Sequence, residues 1–236
     1  MKFEHTEVFN FEGALRGMRN PKESWQKIDS YWVYDIDLKR PVYRFGFNDL
    51  KLAQSLIKAG SEHRKFMRQI FVSVDITAPL YWWKEFDTYK VGTVANSTST
   101  MHKLASTPIT KDCFEMDDFE DVYSHKIKEA TLDSWWALTI EALEYLRLEY
   151  NKTKDIRYWK ELIRLLPESW LQKRTVTFDY ENLLAICSKG QRRFHKLTEW
   201  SNAFINWART LPYAQELIFI DEYELKKEEH KEDVKL

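Results

Sequence analysis

Glycine and proline are both scarce in this chain of 236 residues, with only six of each. An all-β chain with many tight turns usually needs more of both, which argues against an all-β fold. There are only two cysteines, Cys113 and Cys187, and they lie far apart without the spacing of metal ligands. Two cysteines in a chain of this length are typical of buried thiols in a reducing cytosol, so we predict a cytoplasmic protein.

Neither positive nor negative charge predominates. Lys and Arg total 36 against 37 Asp and Glu, for a formal net charge of −1. A chain built mainly to bind a long nucleic acid would carry a clear basic excess, but a single nucleotide in a local basic pocket is compatible with this balance. No apolar run is long enough to span a membrane, and the first residues contain acids, so we expect neither a membrane segment nor a signal peptide.

The common catalytic motifs are missing as well. The sequence has no Gly-rich loop followed by Lys and Ser or Thr, no G-x-G-x-x-G, no paired-histidine motif and no G-x-S-x-G. Its six histidines are isolated from one another, so we expect no metal site. The usual hydrolase, kinase, dehydrogenase and zinc-enzyme interpretations therefore have no support.

Apolar material is sufficient for a core, since hydrophobic residues make up 44% of the chain. We predict one domain over residues 1–223. Residues 224–236 read ELKKEEHKEDVKL, and this density of charge predicts a frayed helix or a disordered tail. The aromatic fraction of 15% favours a core and subunit interfaces built from large rings, with aromatic walls around a flat ligand as the alternative.

Periodicity of the apolar residues predicts a mixture of strands and helices. Alternation predicts strands over residues 1–13 and 68–79, and residues 174–180 are a strand or an extended lead into the next helix. Helical spacing predicts helices over residues 49–59, 79–90, 132–150, 155–166, 181–187, 197–207 and 214–220. Asn48 or Asp49 is the expected N-cap of the first helix, and Gly60 its stop.

Two polar segments are candidates for function. Residues 13–25 contain several turn formers together with Arg16 and Arg19. This segment is either a plain surface loop or a loop whose guanidinium groups bind a phosphate or a carboxylate. Residues 93–111 are rich in Ser and Thr without an apolar period, and long loops of this kind are often functional.

A specific resemblance is visible in residues 62–103. An apolar strand there ends at Ala78-Pro79, a ring-rich helix LYWWKEFD follows, and a polar loop then reads VGTVANSTSTMH. This order resembles the flavin-dependent thymidylate synthases. In that family the helix is followed by Arg-His-Arg, whose place is taken here by residues 88–90, Thr-Tyr-Lys.

The family's loop ends in Asn-Glu-x-Ser-x-Arg-Tyr. With one inserted residue, Asn96 and Ser99 match its Asn and Ser, whereas Ser97, Met101 and His102 replace its Glu, Arg and Tyr. The family also has a Leu-Pro, a Thr-rich strand, a helix and then an arginine before Ala-Gln-Trp. The Leu-Pro is found here at residues 166–167, and three residues compete for the role of the late arginine: Arg192, Arg193 and Arg209.

The resemblance implies a fold, a reaction and an assembly. The fold would be α+β, with helices packed on a mainly antiparallel sheet. The reaction would transfer a one-carbon unit from methylene-tetrahydrofolate to C5 of deoxyuridine monophosphate (dUMP), with reduced FAD as hydride donor and NADPH as its reductant. The assembly would be a homotetramer. The chain also resembles short, phage-encoded proteins of this family.

The resemblance and the nearby unexplained cations together predict a set of site residues. Predicted catalytic residues are Ser99 and His102. Predicted FAD-binding residues are Lys84, Thr88, Tyr89, Lys90 and Asn96. Predicted substrate-binding residues are Arg64, Ser97, Thr98, Ser99, Arg192, Arg193 and Arg209.

Three hypotheses stay open at this stage, because the Arg-His-Arg stretch is not preserved. Replacing an arginine by lysine loses its bidentate fork, and replacing it by threonine or methionine removes the charge. The first hypothesis is a divergent flavin-dependent enzyme, and the second is a non-catalytic protein that senses or sequesters a pyrimidine nucleotide. The third is a scaffold or partner-binding protein that keeps only the fold.

Overall fold

The computed structural model describes residues 1–89, 91–99, 103–116, 126–127 and 130–223. The charged tail predicted at 224–236 lies outside these residues, as do the predicted site residues Lys90 and His102. Within the described residues the fold is α+β, as predicted. No helix among them is long and apolar enough to cross a membrane.

Strands and helices are mixed along the chain. The strands are β1 Lys2–Phe9, β2 Tyr31–Asp35, β3 Arg40–Arg44, β4 Phe71–Pro79, β5 Val94–Ser97, β6 Lys126–Ile127, β7 Ala130–Thr131 and β8 Leu171–Asp179. The helices are α1 Phe11–Arg19, α2 Phe47–Lys58, α3 Leu80–Phe86, α4 Leu132–Thr153, α5 Ile156–Leu165, α6 Tyr180–Cys187, α7 Lys189–Arg192, α8 Ile205–Arg209 and α9 Ala214–Leu217. Residues Glu199–Phe204 form a π-helical turn that leads into α8. Each predicted helix overlaps one of these helical segments.

The described strands include a four-stranded sheet with the order β1-β4-β8-β5. Strands β4 and β8 run antiparallel, because the amide of Leu80 donates to the carbonyl of Trp170 beyond one end and the amide of Tyr180 donates to Ile70 beyond the other. Strand β4 is the clearest case of a strand predicted correctly, since its alternate residues Val72, Val74, Ile76 and Ala78 are fully buried. Strands β2 and β3 pair as a separate antiparallel hairpin.

The chain divides into two compact units. The first comprises residues 1–2 and 75–88 with the described part of 95–175, and the second comprises residues 3–74 and 89–94 with the described residues from 176 on. The core of the first unit is built from α4 and α5 and from the segment between β5 and α4, with these buried residues: Leu104, Ile109, Phe114, Leu143 and Leu162. The prediction of a single domain over residues 1–223 stays a prediction.

Large rings dominate the core of the second unit. The ring of Phe3 stacks on Trp207 at 4.8 Å between centroids, and Phe204 lies edge-on to Phe3 at 6.2 Å. Cys187 is buried at the end of α6, where burial raises the pKa of its thiol to about 12. This thiol is therefore protonated at neutral pH, as expected of a structural cysteine.

Residues 13–25, which contain the predicted arginine loop, are mostly helical. Helix α1 includes both Gly13 and Gly17, because Phe11, Ala14, Leu15 and Met18 recur at helical spacing and are all buried. Burial of this stripe outweighs the helix cost of the two glycines, which is about 1 kcal/mol each. The interpretation of a plain surface loop is wrong for Arg19, since its side chain is buried and binds a carboxylate, that of Asp49.

The start of α2 also differs from the prediction. Its N-cap is Gly46, and neither Asn48 nor Asp49 has that role. The Asp29 carboxylate accepts the amides of Asn48 at 2.8 Å and Asp49 at 3.0 Å, so a residue from outside the helix satisfies its first turn. A Cβ atom on Gly46 would lie 2.4 Å from the carbonyl oxygen of Asp29, so this close approach requires glycine. The predicted stop is confirmed, because Gly60 follows the helix with φ of +105°.

Candidate functional site

In the first unit, the predicted substrate loop is attached to β8. The amide of Thr98 donates to the carbonyl of Lys173 at 2.8 Å, and the side-chain amide of Gln172 donates to the carbonyl of Thr98 at 3.0 Å. Asn96 and Ser97 lie exposed on β5, immediately before this attachment. The carbonyl of Ser99 accepts the amide of Lys103 at 2.9 Å. The structure thus places Ser97 at the end of β5 and Thr98 directly beside β8.

An arginine that the sequence prediction missed lies beside this turn. The guanidinium of Arg174 lies over the ring of Trp83 at 4.3 Å from the centroid, donates from Nε to Gln172 at 3.0 Å, and pairs with Asp87 at 3.3 Å. Burial lowers the pKa of Arg174 from its ordinary value, and the Asp87 carboxylate offsets part of that effect. Gln172 bonds both Arg174 and Thr98, so it links this cation to the predicted loop. No local motif marks Arg174, because two of its partners, Trp83 and Asp87, lie more than 80 positions away along the chain.

Two predicted FAD residues of the first unit, Lys84 and Thr88, make contacts within that unit. Lys84 pairs with Glu168 at 2.6 Å, and the Thr88 hydroxyl donates to the carbonyl of Glu85 at 2.7 Å. The second contact is a local bond at the end of α3, which is a common role for threonine.

In the second unit, Tyr89 belongs to a cluster of polar and aromatic side chains. Its hydroxyl accepts the side-chain amide of Gln191 at 2.5 Å and is 2.9 Å from Nε2 of His195. The ring of His195 stacks on Trp200 at 4.6 Å, and both residues are buried. The Tyr89 hydroxyl, predicted to contact FAD, is therefore engaged by α7 and the residues that follow it.

Arg64 lies elsewhere in this unit, and its side chain reaches Glu181 in the first turn of α6. It donates from Nε to Glu181 at 3.2 Å, and Arg68 binds the same carboxylate through two bonds of 2.5 and 3.3 Å. The unexplained cations around residue 64 are therefore held by an acid close in space. Arg64 stays a predicted substrate contact, and any anion that binds it must compete with Glu181.

Two of the three competing late arginines meet at one point. Arg209 binds Glu222 through both terminal nitrogens, at 2.9 and 3.2 Å, and Nη2 of Arg192 bonds the same carboxylate. Both guanidinium groups also lie over the ring of Phe219, at 4.2 Å for Arg209 and 5.8 Å for Arg192. Arg193 is exposed and lies over Phe194 instead. The structure brings Arg192 and Arg209 together and leaves Arg193 apart.

The charges of this cluster suit an anion. Bonds from Arg209 and Arg192 outweigh the effect of burial and lower the pKa of Glu222, so its carboxylate is ionised at neutral pH. Two guanidinium groups and one carboxylate then leave a net charge of +1 over the buried ring of Phe219. Paired arginines in such a setting are a common way to bind phosphate. Among the described residues, no group of three or more His, Cys, Asp or Glu side chains could hold a metal ion.

No protein-family model matches the sequence, and no curated protein matches it significantly. Solved structures do match its fold. The flavin-dependent thymidylate synthase ThyX from Helicobacter pylori, complexed with FAD and dUMP, aligns with a TM-score of 0.61 and 14% identity over 94% of this chain and 99% of that chain. Another ThyX structure from this organism, with FAD and dUMP, aligns with a TM-score of 0.58 and 16% identity over 94% and 98% of the two chains.

A UMP/dUMP methylase is similar too. PolB from Streptomyces cacaoi, bound with 5-Br dUMP, aligns with a TM-score of 0.54 and 13% identity over 93% of this chain and 95% of that chain. The fold is therefore ThyX-like, which confirms the predicted fold class. The structural alignments establish the fold. At identities of 13–16% they leave the activity of this chain open.

Proposed function

We propose that this chain binds a pyrimidine nucleoside monophosphate of the dUMP type, with its phosphate at Arg192 and Arg209. The observation that carries the proposal is the convergence of these two arginines on one carboxylate over the ring of Phe219. The ThyX-like fold supports it, because the similar structures contain dUMP or its 5-bromo derivative. Ser97, Thr98 and Ser99 stay predicted substrate contacts of the first unit.

Nucleotide binding is tested by isothermal titration calorimetry with dUMP, deoxyuridine and deoxyadenosine monophosphate. We expect dUMP to bind and deoxyuridine to bind far more weakly, because charge-assisted bonds to phosphate would supply much of the affinity. The purine nucleotide serves as the control for base selectivity. If deoxyuridine binds as tightly as dUMP, the arginine pair is not the phosphate site; if neither binds, the proposed function is wrong.

A second candidate function is modification of the bound pyrimidine at C5, as in the resembled family. The ordered attachment of the Thr98 turn to β8 favours it, since a reacting nucleotide must be held rigidly. FAD would supply hydride chemistry when bound, with NADPH and methylene-tetrahydrofolate as co-substrates. FAD would have to compete with existing contacts at the described residues predicted to hold it, because Lys84, Thr88 and Tyr89 each have a polar group bonded within their own unit. Ser99 and His102 stay predicted catalytic residues of this reaction.

Flavin occupancy has a direct spectroscopic measurement. We expect protein that is soaked with FAD and then desalted to retain little absorbance near ~450 nm, where oxidised flavin absorbs. The reason is that the carboxylates and side-chain amides described above compete for the groups that would hold the cofactor. Free FAD passed over the same column is the control. Retention of about one FAD per chain would instead favour the enzyme, and NADPH oxidation stimulated by dUMP would then be assayed.

Self-association is proposed from an exposed face of α4. Four large residues at near-helical spacing, Trp135, Leu138, Tyr145 and Leu148, are between 51% and 64% exposed. The opposite face of this 22-residue helix packs on the core through Leu143. Asp133 lies in the first turn and Lys152 in the last, so antiparallel pairing with the same helix of a second copy would place opposite charges together. This face suits one interface of the predicted homo-oligomer.

Introducing a charge into that face should break the interface. We expect Leu138→Glu to shift the protein to a smaller species in size-exclusion chromatography with light scattering, because a carboxylate at an apolar seam is costly to bury. Ile36→Glu is the control, since Ile36 is 81% exposed in the turn of the β2–β3 hairpin. An unchanged mass for Leu138→Glu, or a wild-type monomer, would show that α4 does not mediate self-association.

A further inference from the structure

The carboxylate that joins Arg192 and Arg209 comes from the last turn of the described chain. The amide of Glu222 donates to the carbonyl of Phe219 at 3.0 Å, and the amide of Tyr223 donates to the same carbonyl at 3.1 Å. One short turn therefore supplies both the ring under the two guanidinium groups and the anion between them. If that turn moved, the carboxylate would leave and the two cations would remain on α7 and α8.

The carboxylate does not satisfy every donor of the arginine pair. Its Oε1 atom accepts from Arg192 and Arg209, and its Oε2 atom accepts from Arg209. The Nε atom of Arg192 is buried and has no hydrogen-bond partner among the described residues. A buried donor in this state is costly, so an acceptor that reaches this Nε atom would gain a bond that Glu222 does not make.

A phosphate monoester has the geometry that the carboxylate lacks. It presents three terminal oxygens, so two of them can accept Nε and Nη2 of Arg192 while the third accepts from Arg209. It also carries about −1.5 to −2 charges at neutral pH, which balances the +2 of the two arginines better than one carboxylate does. Phosphate and Glu222 cannot share the site, because two anions between the same cations repel each other.

We propose that Glu222 is a resident counter-ion that a phosphate group displaces from Arg192 and Arg209, and that it thereby sets the affinity of this site for phosphate monoesters. This inference rests on the proposed function, since it concerns the same phosphate position. It assigns Glu222 a regulatory role at that site: the empty protein closes its phosphate site with its own carboxylate. Occupation by ligand releases the turn that contains Glu222.

The test is calorimetric titration of wild type and Glu222→Gln with inorganic phosphate and with dUMP. Glutamine keeps the size of the side chain and removes the charge, so we expect both ligands to bind the variant about tenfold more tightly or better. Asp221→Asn is the matched control, because Asp221 is the exposed neighbour and its change alters the net charge equally. We expect the affinity of that variant to stay within about twofold of wild type.

A second measurement uses the wild-type protein alone, so it does not depend on whether the variant folds. Displacement of Glu222 should break the bonds that its turn makes to Phe219. We therefore expect hydrogen exchange at the amides of Glu222 and Tyr223 to become faster when inorganic phosphate is added. Unchanged or slower exchange at saturating phosphate would overturn the inference.

The outcomes separate this inference from the proposed function. If phosphate binds Glu222→Gln more tightly than wild type but dUMP binds neither protein, the counter-ion role stands and the nucleotide proposal fails. If dUMP binds wild type and Glu222→Gln equally, nucleotide binding stands and the counter-ion role fails. If phosphate binds neither protein, the counter-ion role also fails.

Discussion

Asp49→Ala is expected to lower the free energy of unfolding by about 3–5 kcal/mol. The Asp49 side chain is fully buried and that of Arg19 is 6% exposed, and the two are joined by bonds of 2.9 and 2.6 Å to Oδ1. The other oxygen, Oδ2, accepts the amides of Asp29 and Ser30 and the Ser30 hydroxyl. Alanine would leave a buried guanidinium without its counter-ion and three donors without their acceptor, which is the costly way to break a buried pair.

The measurement is urea denaturation followed by both tryptophan fluorescence and far-ultraviolet circular dichroism. The two transitions must coincide for a single free energy to be meaningful in a chain with two compact units. Glu168→Ala is the control, because it removes an exposed carboxylate from its 2.6 Å pair with Lys84. We expect that change to cost less than about 1 kcal/mol. An equally small loss for Asp49→Ala would show that the Arg19 charge finds another partner or reaches water.

The same buried pair shows why the prediction of a loop at residues 13–25 was wrong. Gly13, Gly17, Asn20 and Pro21 are turn formers, and local propensity therefore favoured a loop with exposed arginines. The residue that decides the position of Arg19 is Asp49, thirty positions further on. Local sequence patterns cannot reveal a partner at that distance. The apolar residues of α1 do recur at helical spacing, but turn propensity at the glycines favours a loop, and only the fold shows that burial of the stripe prevails.

Elements with a strong internal period could be predicted well. The alternation in β4 and the stripe of α4 each depend on one buried face, so the chain alone specifies them. The β2–β3 hairpin was not predicted. Its strands are rich in rings, and Tyr31 and Trp32 are exposed, while Pro41 occupies the second strand. Strand β2 is exposed along most of its length, so it lacks the buried face on which period-based prediction depends.

The candidate site could be predicted only as a set of residue types. The resemblance pointed to three late arginines, but a choice among them requires the positions of Glu222 and Phe219. The carboxylates that pair with Lys84 and Arg64 could not be predicted from the sequence either, since Glu168 and Glu181 lie 84 and 117 positions away. Motif resemblance identifies cations, and only the fold shows which of them already have a partner.

Arg209→Ala is expected to weaken dUMP binding about 10- to 150-fold, which corresponds to the loss of about 1.5–3 kcal/mol for a hydrogen-bonded charge. Arg209 presents both terminal nitrogens to the anion position, so it supplies the bidentate contact of the site. Without Arg209 the remaining Arg192 is neutralised by Glu222, and the position has no net positive charge to offer a phosphate. Arg209→Lys should recover only part of the loss, because lysine keeps the charge and lacks the planar fork.

Arg193→Ala is the matched control for this experiment, and it resolves the choice that the sequence left open. Arg193 is adjacent to Arg192 in the chain, is exposed, and contacts the ring of Phe194 rather than an acid. We expect its removal to change dUMP affinity by no more than about twofold in the same calorimetric titration. A larger loss for Arg193→Ala than for Arg209→Ala would place the phosphate at the exposed arginine. In that case the pair at Glu222 would be a structural ion cluster, because an anion that never meets Arg209 cannot depend on its fork.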